Sequence, residues 1–293
     1  MSHRRAVVTM VAVTAMWSIA GVVTRQLEAA RSFEITFWRS FFTVIALVIL
    51  LGRLRGAAPL WRSIVGGGRP LWISGACWAV MFTAFMVALT MTTVANVLVT
   101  MASAPLMTAL IARFALGHRL AARTWTAIVV AGAGIVWMYA LEVRAADARH
   151  VLGMAVAVCV PIAAAVNWTV LQRSRGAPIQ RDLLPAVLIG AVLSALVTLP
   201  LALPLAASPH DLGWLALLGV VQLAIPCLMS VAAGRALNAP EAALLALLEV
   251  LMGVAWAWLG GYETPAVHVL GGGLLVLGAL AGNEALALRR VAR

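Results

Sequence analysis

Long apolar runs repeat along the whole chain, and they restrict the fold more than any other feature. Ten such runs, each about 20 residues long, follow one another with short polar connections. Hydrophobic residues make up 63% of the chain and charged residues only 11%, whereas soluble domains carry about 25% charged residues. The sequence therefore predicts an all-α integral membrane protein with ten transmembrane helices, because runs of this length and uniformity suit helices rather than barrel strands.

Hydropathy gives the bounds of the ten predicted spans, and Gly- and Pro-rich segments such as VGGGRP and RSRGAP separate them. The predicted spans are Val7–Val23, Glu34–Leu51, Leu71–Leu89, Ala95–Leu116, Thr124–Leu141, Val151–Leu171, Leu183–Leu203, Leu212–Gly234, Ala242–Leu259 and Val267–Leu286. The basic start of the chain resembles a signal peptide, but the apolar run continues to Val23, so we interpret it as an uncleaved first span.

The 21 basic residues are all arginine, and their placement predicts the orientation of the chain. Most of them fall on one side of the membrane if the N-terminus is cytoplasmic, and cytoplasmic loops carry an excess of Arg. Both termini are therefore predicted to lie in the cytoplasm, with the chain in a bacterial-type inner membrane. Since no soluble basic face is predicted, the positive charge does not indicate nucleic-acid binding.

The two halves of the chain resemble each other at an offset of 145 residues, where 102–120 aligns with 247–265. Each half, 1–146 and 147–293, then contains five predicted spans. Because five is odd, the second half must enter the membrane in the opposite direction to the first. Inverted five-helix repeats are typical of secondary transporters, whose substrate site lies near the midplane.

Four segments resemble the drug/metabolite transporter superfamily, in its ten-helix EamA-type exporter branch. They are AMWSIAGVVTRQL, EITFWRSFFTVIALV, ANVLVTMASAPLMTALIARFALGHRL and EAALLALLEVLMGVAWAWLGGYETP. They resemble the first, second, fourth and ninth helices of that branch, whose arginine, proline and glutamate would be Arg39, Pro105 and Glu249. Ser18, Val250 and His118 depart from the residues usual at their positions.

The resemblance implies a secondary, non-ATP transporter that exports small metabolites by alternating access. Within the branch, the chain is most similar to the YddG-type exporters, which implies amino acids, aromatic ones included, as cargo. Two alternatives stay open at this point. One is a multidrug or cationic-compound efflux transporter, and the more remote one is a membrane-embedded lipid enzyme. The enzyme is disfavoured because the ten acidic residues are dispersed rather than clustered.

Aromatic side chains towards the middle of three spans are candidates for the substrate site. Trp17, Trp78 and Trp168 lie in the first, third and sixth predicted spans. They could enclose a flat or apolar side chain by stacking or cation–π contact, or they could simply pack in the core.

Three polar residues deep in the spans are further candidates, namely Asn167, Gln222 and Glu249. The two amides could bind a substrate's amino or carboxyl group, or join two helices. An ionised residue at a span centre costs about 3 kcal/mol, so Glu249 must face protein or water. It could bind a cation or a substrate amine, carry a proton, or tie two helices together by a hydrogen bond.

Arg39 lies six residues into the second span, and three prolines lie inside other spans. We expect Arg39 to extend outward to the membrane surface or to pair with Glu34, with binding of a substrate carboxylate as the alternative. Pro105, Pro161 and Pro226 are predicted to be hinges or fixed kinks, because an interior proline removes a helix hydrogen bond.

No cofactor or metal is predicted. The glycine triplets at 66–68 and 271–273 lack the Lys and Ser or Thr of a phosphate-binding loop, and the histidines are too scattered for a metal site. The three cysteines are interpreted as buried apolar residues. The expected partners are a small-molecule substrate and the lipid bilayer, and the oligomeric state stays open, with a monomer as one alternative.

Overall fold

A computed structural model describes residues 2–117, 121–143, 147–175, 183–234, 239–262 and 264–291. The regular secondary structure in these ranges is helical throughout. The helices are α1 His3–Ser18, α2 Ala20–Thr24, α3 Ser32–Arg55, α4 Ala57–Val65, α5 Gly68–Met91, α6 Val94–Ala102, α7 Ala104–Leu116, α8 Ala122–Val143, α9 Ala148–Arg175, α10 Pro185–Ala202, α11 Pro209–Leu217, a π-helix Leu218–Ala224, α12 Ile225–Gly234, α13 Ala239–Leu259 and α14 Val267–Val291.

Eight helical segments of the described ranges are long and apolar enough to cross a membrane. They match the first eight predicted spans at closely similar bounds, which confirms an all-helical chain with several membrane-crossing helices. The ninth and tenth predicted spans coincide with α13 and α14, whose apolar stretches Leu248–Leu259 and Val267–Asn283 are shorter. The count of ten membrane-crossing helices therefore stays a prediction.

Three predicted spans are interrupted rather than continuous α-helices. The first breaks at Ile19 between α1 and α2, and the fourth breaks at Ser103 between α6 and α7. Pro105 explains the second break, because it has no amide hydrogen to donate to the preceding turn. The eighth contains the π-helix, a form that is often found at functional sites. Interrupted helices leave backbone polar groups near mid-depth, where transporters bind their cargo.

The other two prolines differ in their local effect. Pro161 lies inside α9, which continues past it to Arg175. Pro226 is the second residue of α12, two residues after the end of the π-helix. The structure thus places a helix break or a change of helix type beside Pro105 and Pro226, and hinge motion at all three prolines stays a prediction.

The helices form two groups, and each group combines both halves of the chain. In the first group, α1 packs on α12 and α13, and α3 packs on the π-helix. In the second group, α9 packs on α5, α6 and α7, and α10 packs on α5. Contacts between α3 and α10, α6 and α13, and α8 and α14 complete the packing. The predicted division after residue 146 falls at residues outside the described ranges, as does His118.

The largest apolar cluster joins the two groups, and part of it lies at the end of the molecule where α2 meets α6. It contains residues where α2 ends and where α6 begins, such as Val23 and Val94, together with Leu89 of α5 and Leu215 of α11. At the same end, Thr90 Oγ1 donates a hydrogen bond of 2.8 Å to Ser32 Oγ. Burial of this many apolar side chains holds the two groups together at this end.

A second apolar cluster lies near the opposite end and stays within the first group. Met10 and Val13 of α1 pack there with Ala233 of α12. The two groups are also in contact towards the N-terminal end, where Leu51 of α3 and Leu60 of α4 share a buried cluster with Phe82 of α5 and Val187 of α10.

Two fully buried carboxylates fix the connections that precede α3 and α11. Asp211 accepts backbone hydrogen bonds from Glu28, Ala29 and Ala30 at 2.9–3.0 Å, and a longer one from Ser208. Conversely, Glu34 lies in the first half of the chain, and its Oε1 accepts hydrogen bonds from the backbone N–H groups of residues 206 and 207 in the second half, both at 2.7 Å. Each carboxylate thus holds a connection of the other half of the chain. Buried carboxylates are stable when such donors surround them.

Candidate functional site

Trp17 and Trp78 border the same buried cluster, and Gln222 contacts Trp17. Both tryptophans pack against a buried cluster that includes Phe82 of α5 and Cys227 of α12. Gln222 lies in the π-helix and is almost fully buried, and its Nε2 donates a hydrogen bond of 3.3 Å to the Trp17 carbonyl. That carbonyl belongs to the end of α1, where the helix break changes the usual pattern of backbone bonds. The interrupted first and eighth spans are therefore joined at this point.

Gln222 has bonding capacity left after this contact. Its Oε1 is buried and accepts no hydrogen bond within the described part of the chain. A buried amide oxygen without a donor is uncommon and costs free energy. Of the two roles predicted for Gln222, joining two helices is observed, and the free oxygen is still able to accept a bond from a ligand.

Asn167 and Trp168 lie side by side in α9 but face different surroundings. Asn167 is buried, and its Oδ1 accepts a hydrogen bond of 2.6 Å from Ser74 Oγ of α5. Trp168 is 51% exposed and does not belong to the cluster that contains Trp17 and Trp78. The structure places two of the three predicted tryptophans against the same buried cluster and leaves Trp168 apart from it.

Glu249 lies in the middle of α13 and is partly exposed. No hydrogen bond to its carboxylate comes from any residue in the described ranges, so a tie to a neighbouring helix is not observed there. Near Glu249 in α13, Leu245 and Ala246 pack on a small cluster that Trp17 also borders.

Arg39 differs most from its predicted placement. It is only 2% exposed, so it does not extend outward to the membrane surface. It does not pair with Glu34 either, because that carboxylate accepts from the backbone of the α10–α11 connection. Residues five apart also lie on different sides of a helix. Both favoured expectations were therefore wrong, and the guanidinium lies near the rings of Phe82 and Phe85, at 5.8 and 5.7 Å from their centroids.

The end of the first span makes a further contact that the sequence did not predict. Trp256 of α13 donates its Nε1–H to Ser18 Oγ at 3.1 Å, while Ser18 donates to the carbonyl of residue 15. Two tryptophans, Trp17 and Trp256, therefore flank the break at Ile19. The Trp and Ser residues are visible in the sequence, but no periodicity shows which of them meet across helices.

The N-terminal part of the chain is similar to a known protein family. Residues 4–140 match the model of the EamA-like transporter family. The match covers just under half of the chain and contains Trp17, Arg39 and Trp78. Together with the eight apolar helices, it indicates a multi-pass membrane protein related to transporters.

The remaining comparisons concern the fold and the curated proteins. One protein of known crystal structure has a similar fold. Its TM-score to this chain is 0.63, and the match covers 99% of both chains. With 18% sequence identity, that similarity shows the fold alone. No curated protein sequence matches the chain.

Proposed function

We propose that the chain is a secondary transporter of a bacterial-type inner membrane that exports small metabolites without ATP. The observation that carries the proposal is the match of residues 4–140 to the EamA-like transporter family. We propose amino acids, aromatic ones included, as the cargo, with both termini in the cytoplasm. The interior tryptophans support a flat or apolar cargo side chain, because aromatic faces stack on such groups.

The packing of the helices supports two inverted five-helix repeats. In the proposed repeat, α1 corresponds to α9, α12 corresponds to α5, and α13 corresponds to α6 with α7. The contacts of α1 with α12 and α13 then correspond to those of α9 with α5, α6 and α7, and both sets occur. Helices α3 and α10, and likewise α8 and α14, then exchange with each other, and each pair is in contact. Glycines occupy corresponding close approaches, since a Cβ on Gly75 would meet Ile189 and a Cβ on Gly219 would meet Phe42. Such repeats are common in secondary transporters.

Alternating access would then be a movement of the two helix groups relative to each other. The groups are joined by the apolar cluster at the end where α2 meets α6. With the termini in the cytoplasm, this end is the outer one, and another buried cluster joins the groups nearer the inner end. The helix breaks at Ile19 and Ser103 and the region beside Pro226 would absorb the change of shape, with Pro161 as a further hinge candidate.

We propose that the cargo binds between the two groups. Trp17, Trp78 and Gln222 would form one wall of the site, and Glu249 would bind the amine of the cargo. Asn167 and Trp168 would belong to the site at a different stage of the cycle, because they now lie against Ser74 and at an exposed position.

Counterflow in liposomes tests the transport function. Purified protein is reconstituted into vesicles loaded with unlabelled phenylalanine, and labelled phenylalanine is added outside. We expect transient accumulation of label without ATP, and none in protein-free vesicles. A panel of other amino acids and an imposed pH gradient would define the cargo and its coupling. If no labelled amino acid exchanges, the proposed cargo is wrong.

A cationic cargo is the second candidate, and the carboxylate of Glu249 favours it. An interior carboxylate without a described hydrogen-bond donor suits a quaternary or primary ammonium near aromatic rings. Measuring the exchange of phenylalanine and, separately, the exchange of a quaternary cation in the same vesicles distinguishes the two candidates.

Glu249→Gln is expected to weaken exchange about tenfold with either cargo, because it removes the charge that binds the ammonium. Initial exchange rates in vesicles, over a range of cargo concentrations, measure this. Glu28→Gln is the matched control, since Glu28 is an exposed carboxylate in the α2–α3 connection. Wild-type exchange by a well-folded Glu249→Gln protein would contradict the proposed role.

A further inference from the structure

A buried guanidinium in α3 has no anionic partner among the residues that the structure describes. Arg39 is among the largest fully buried side chains of the described residues. Its Nε and Nη1 atoms are buried and donate no hydrogen bond to any described residue. No carboxylate of the described residues lies within 4 Å of it, and Glu34 is engaged by the connection between α10 and α11.

An unpaired buried charge of this kind is costly. Guanidinium is always protonated, so Arg39 does not lower the cost by losing its charge. The rings of Phe82 and Phe85 supply cation–π attraction, but they do not replace hydrogen bonds to two N–H groups. Buried polar groups in folded proteins nearly always have partners, and an exception at the interior of a transporter indicates a ligand or a bound water.

The position of Arg39 connects it with the proposed cargo site. The carbonyl of Arg39 accepts a hydrogen bond from Thr43 Oγ1, which also donates to the carbonyl of Gly219 at the start of the π-helix. Phe82, whose ring centroid lies 5.8 Å from the Arg39 guanidinium, belongs to the buried cluster on which Trp17 and Trp78 pack. The guanidinium therefore lies next to the proposed cargo site.

We propose that Arg39 binds the carboxylate of the transported molecule. The inference rests on the proposed transport function and narrows its cargo to molecules with an anionic group. The two unpartnered donors, Nε–H and Nη1–H, lie in the plane of the guanidinium but point to different sides, so each can donate one charge-assisted hydrogen bond to an anionic group. Phe82 and Phe85 exclude water and so strengthen the interaction.

Binding of three related compounds tests the proposal. Phenylalanine has a carboxylate and an ammonium, 3-phenylpropionate has only the carboxylate, and phenethylamine has only the ammonium. Their affinities for purified protein are measured by calorimetry with wild type, Arg39→Gln and Arg39→Lys. We expect Arg39→Gln to weaken phenylalanine and 3-phenylpropionate at least tenfold and to leave phenethylamine unchanged. Arg39→Lys should restore part of the affinity, because it keeps the charge but not the planar fork.

The matched control is Arg31→Gln, which removes an exposed arginine just before α3 and should change no affinity. Repeating the titrations at several chloride concentrations, down to a chloride-free buffer that contains no carboxylate, separates a cargo carboxylate from a bound chloride ion. Chloride-dependent phenylalanine binding, with no carboxylate preference, would assign Arg39 to the ion and overturn the proposal.

Further outcomes distinguish a failure of the carboxylate site at Arg39 from a failure of the proposed transport function. Equal loss of all three compounds in Arg39→Gln, with a lower melting temperature, would make the residue structural and overturn the carboxylate site alone. Unchanged phenylalanine binding in a well-folded Arg39→Gln protein would also overturn it. If carboxylates raise the melting temperature of wild type through Arg39, but no compound exchanges in vesicles, the transport function fails and the site stands.

Discussion

Asp211→Ala is expected to lower the free energy of unfolding by about 3–5 kcal/mol, because several backbone N–H groups lose their acceptor and each buried donor left unsatisfied costs about 1–3 kcal/mol. Asp211 is fully buried, and its carboxylate accepts four backbone hydrogen bonds, three of them from the connection before α3. Without it these N–H groups lose their acceptor, and the α2–α3 connection loses its attachment to α11. Chemical unfolding of the purified protein in detergent measures the change.

Asp211→Asn should destabilise nearly as strongly, because the amide NH₂ would face N–H donors instead of accepting from them. Glu28→Gln is the control, since Glu28 lies in the same connection, its side chain is exposed, and its backbone N–H still donates to Asp211. A surface substitution of this kind should stay within about 0.5 kcal/mol of wild type. Wild-type stability of Asp211→Ala would show that these four hydrogen bonds do not hold the connection.

Gly219→Ala is expected to cost about 1–3 kcal/mol, as overpacking of a tight contact does. A Cβ there would lie 2.6 Å from the Arg39 carbonyl oxygen and 2.7 Å from Phe42 Cβ. Neither atom is the end of a flexible side chain, so α3 and the π-helix would have to separate. Because this contact also positions Arg39, the variant should lose cargo affinity as well as stability.

Gly213→Ala is the matched control for this effect. Gly213 lies in α11, one helix segment earlier, and nothing lies within 4 Å of a Cβ built there. Alanine at an open helical position should leave stability unchanged or raise it by up to about 1 kcal/mol. Thermal and denaturant unfolding of both variants in the same detergent makes the comparison. If the two alanine variants are equally stable, the close approach of Gly219 to α3 is not as tight as the distances indicate.

Local patterns in the sequence predicted the helices well because hydropathy and turn residues act over short distances. The first eight spans appear as helices at closely similar bounds, and the proline at 105 does accompany a helix break. The deep polar residues were also identifiable, because any polar side chain within an apolar run is conspicuous. Their partners were not, since Asn167 contacts Ser74 and Gln222 contacts Trp17 across helices that are far apart in the sequence.

Arg39 and Glu34 show most clearly where sequence reasoning stops. Their spacing suggested an arginine that reaches the membrane surface or pairs with a neighbour on its own helix. The backbone of the α10–α11 connection instead occupies Glu34, and α5 covers Arg39 with two phenylalanine rings. By itself, the sequence determined that this chain forms apolar helices with a few polar groups inside them. Only the tertiary structure decided which of those groups are satisfied, because their partners come from helices that the chain brings together by folding.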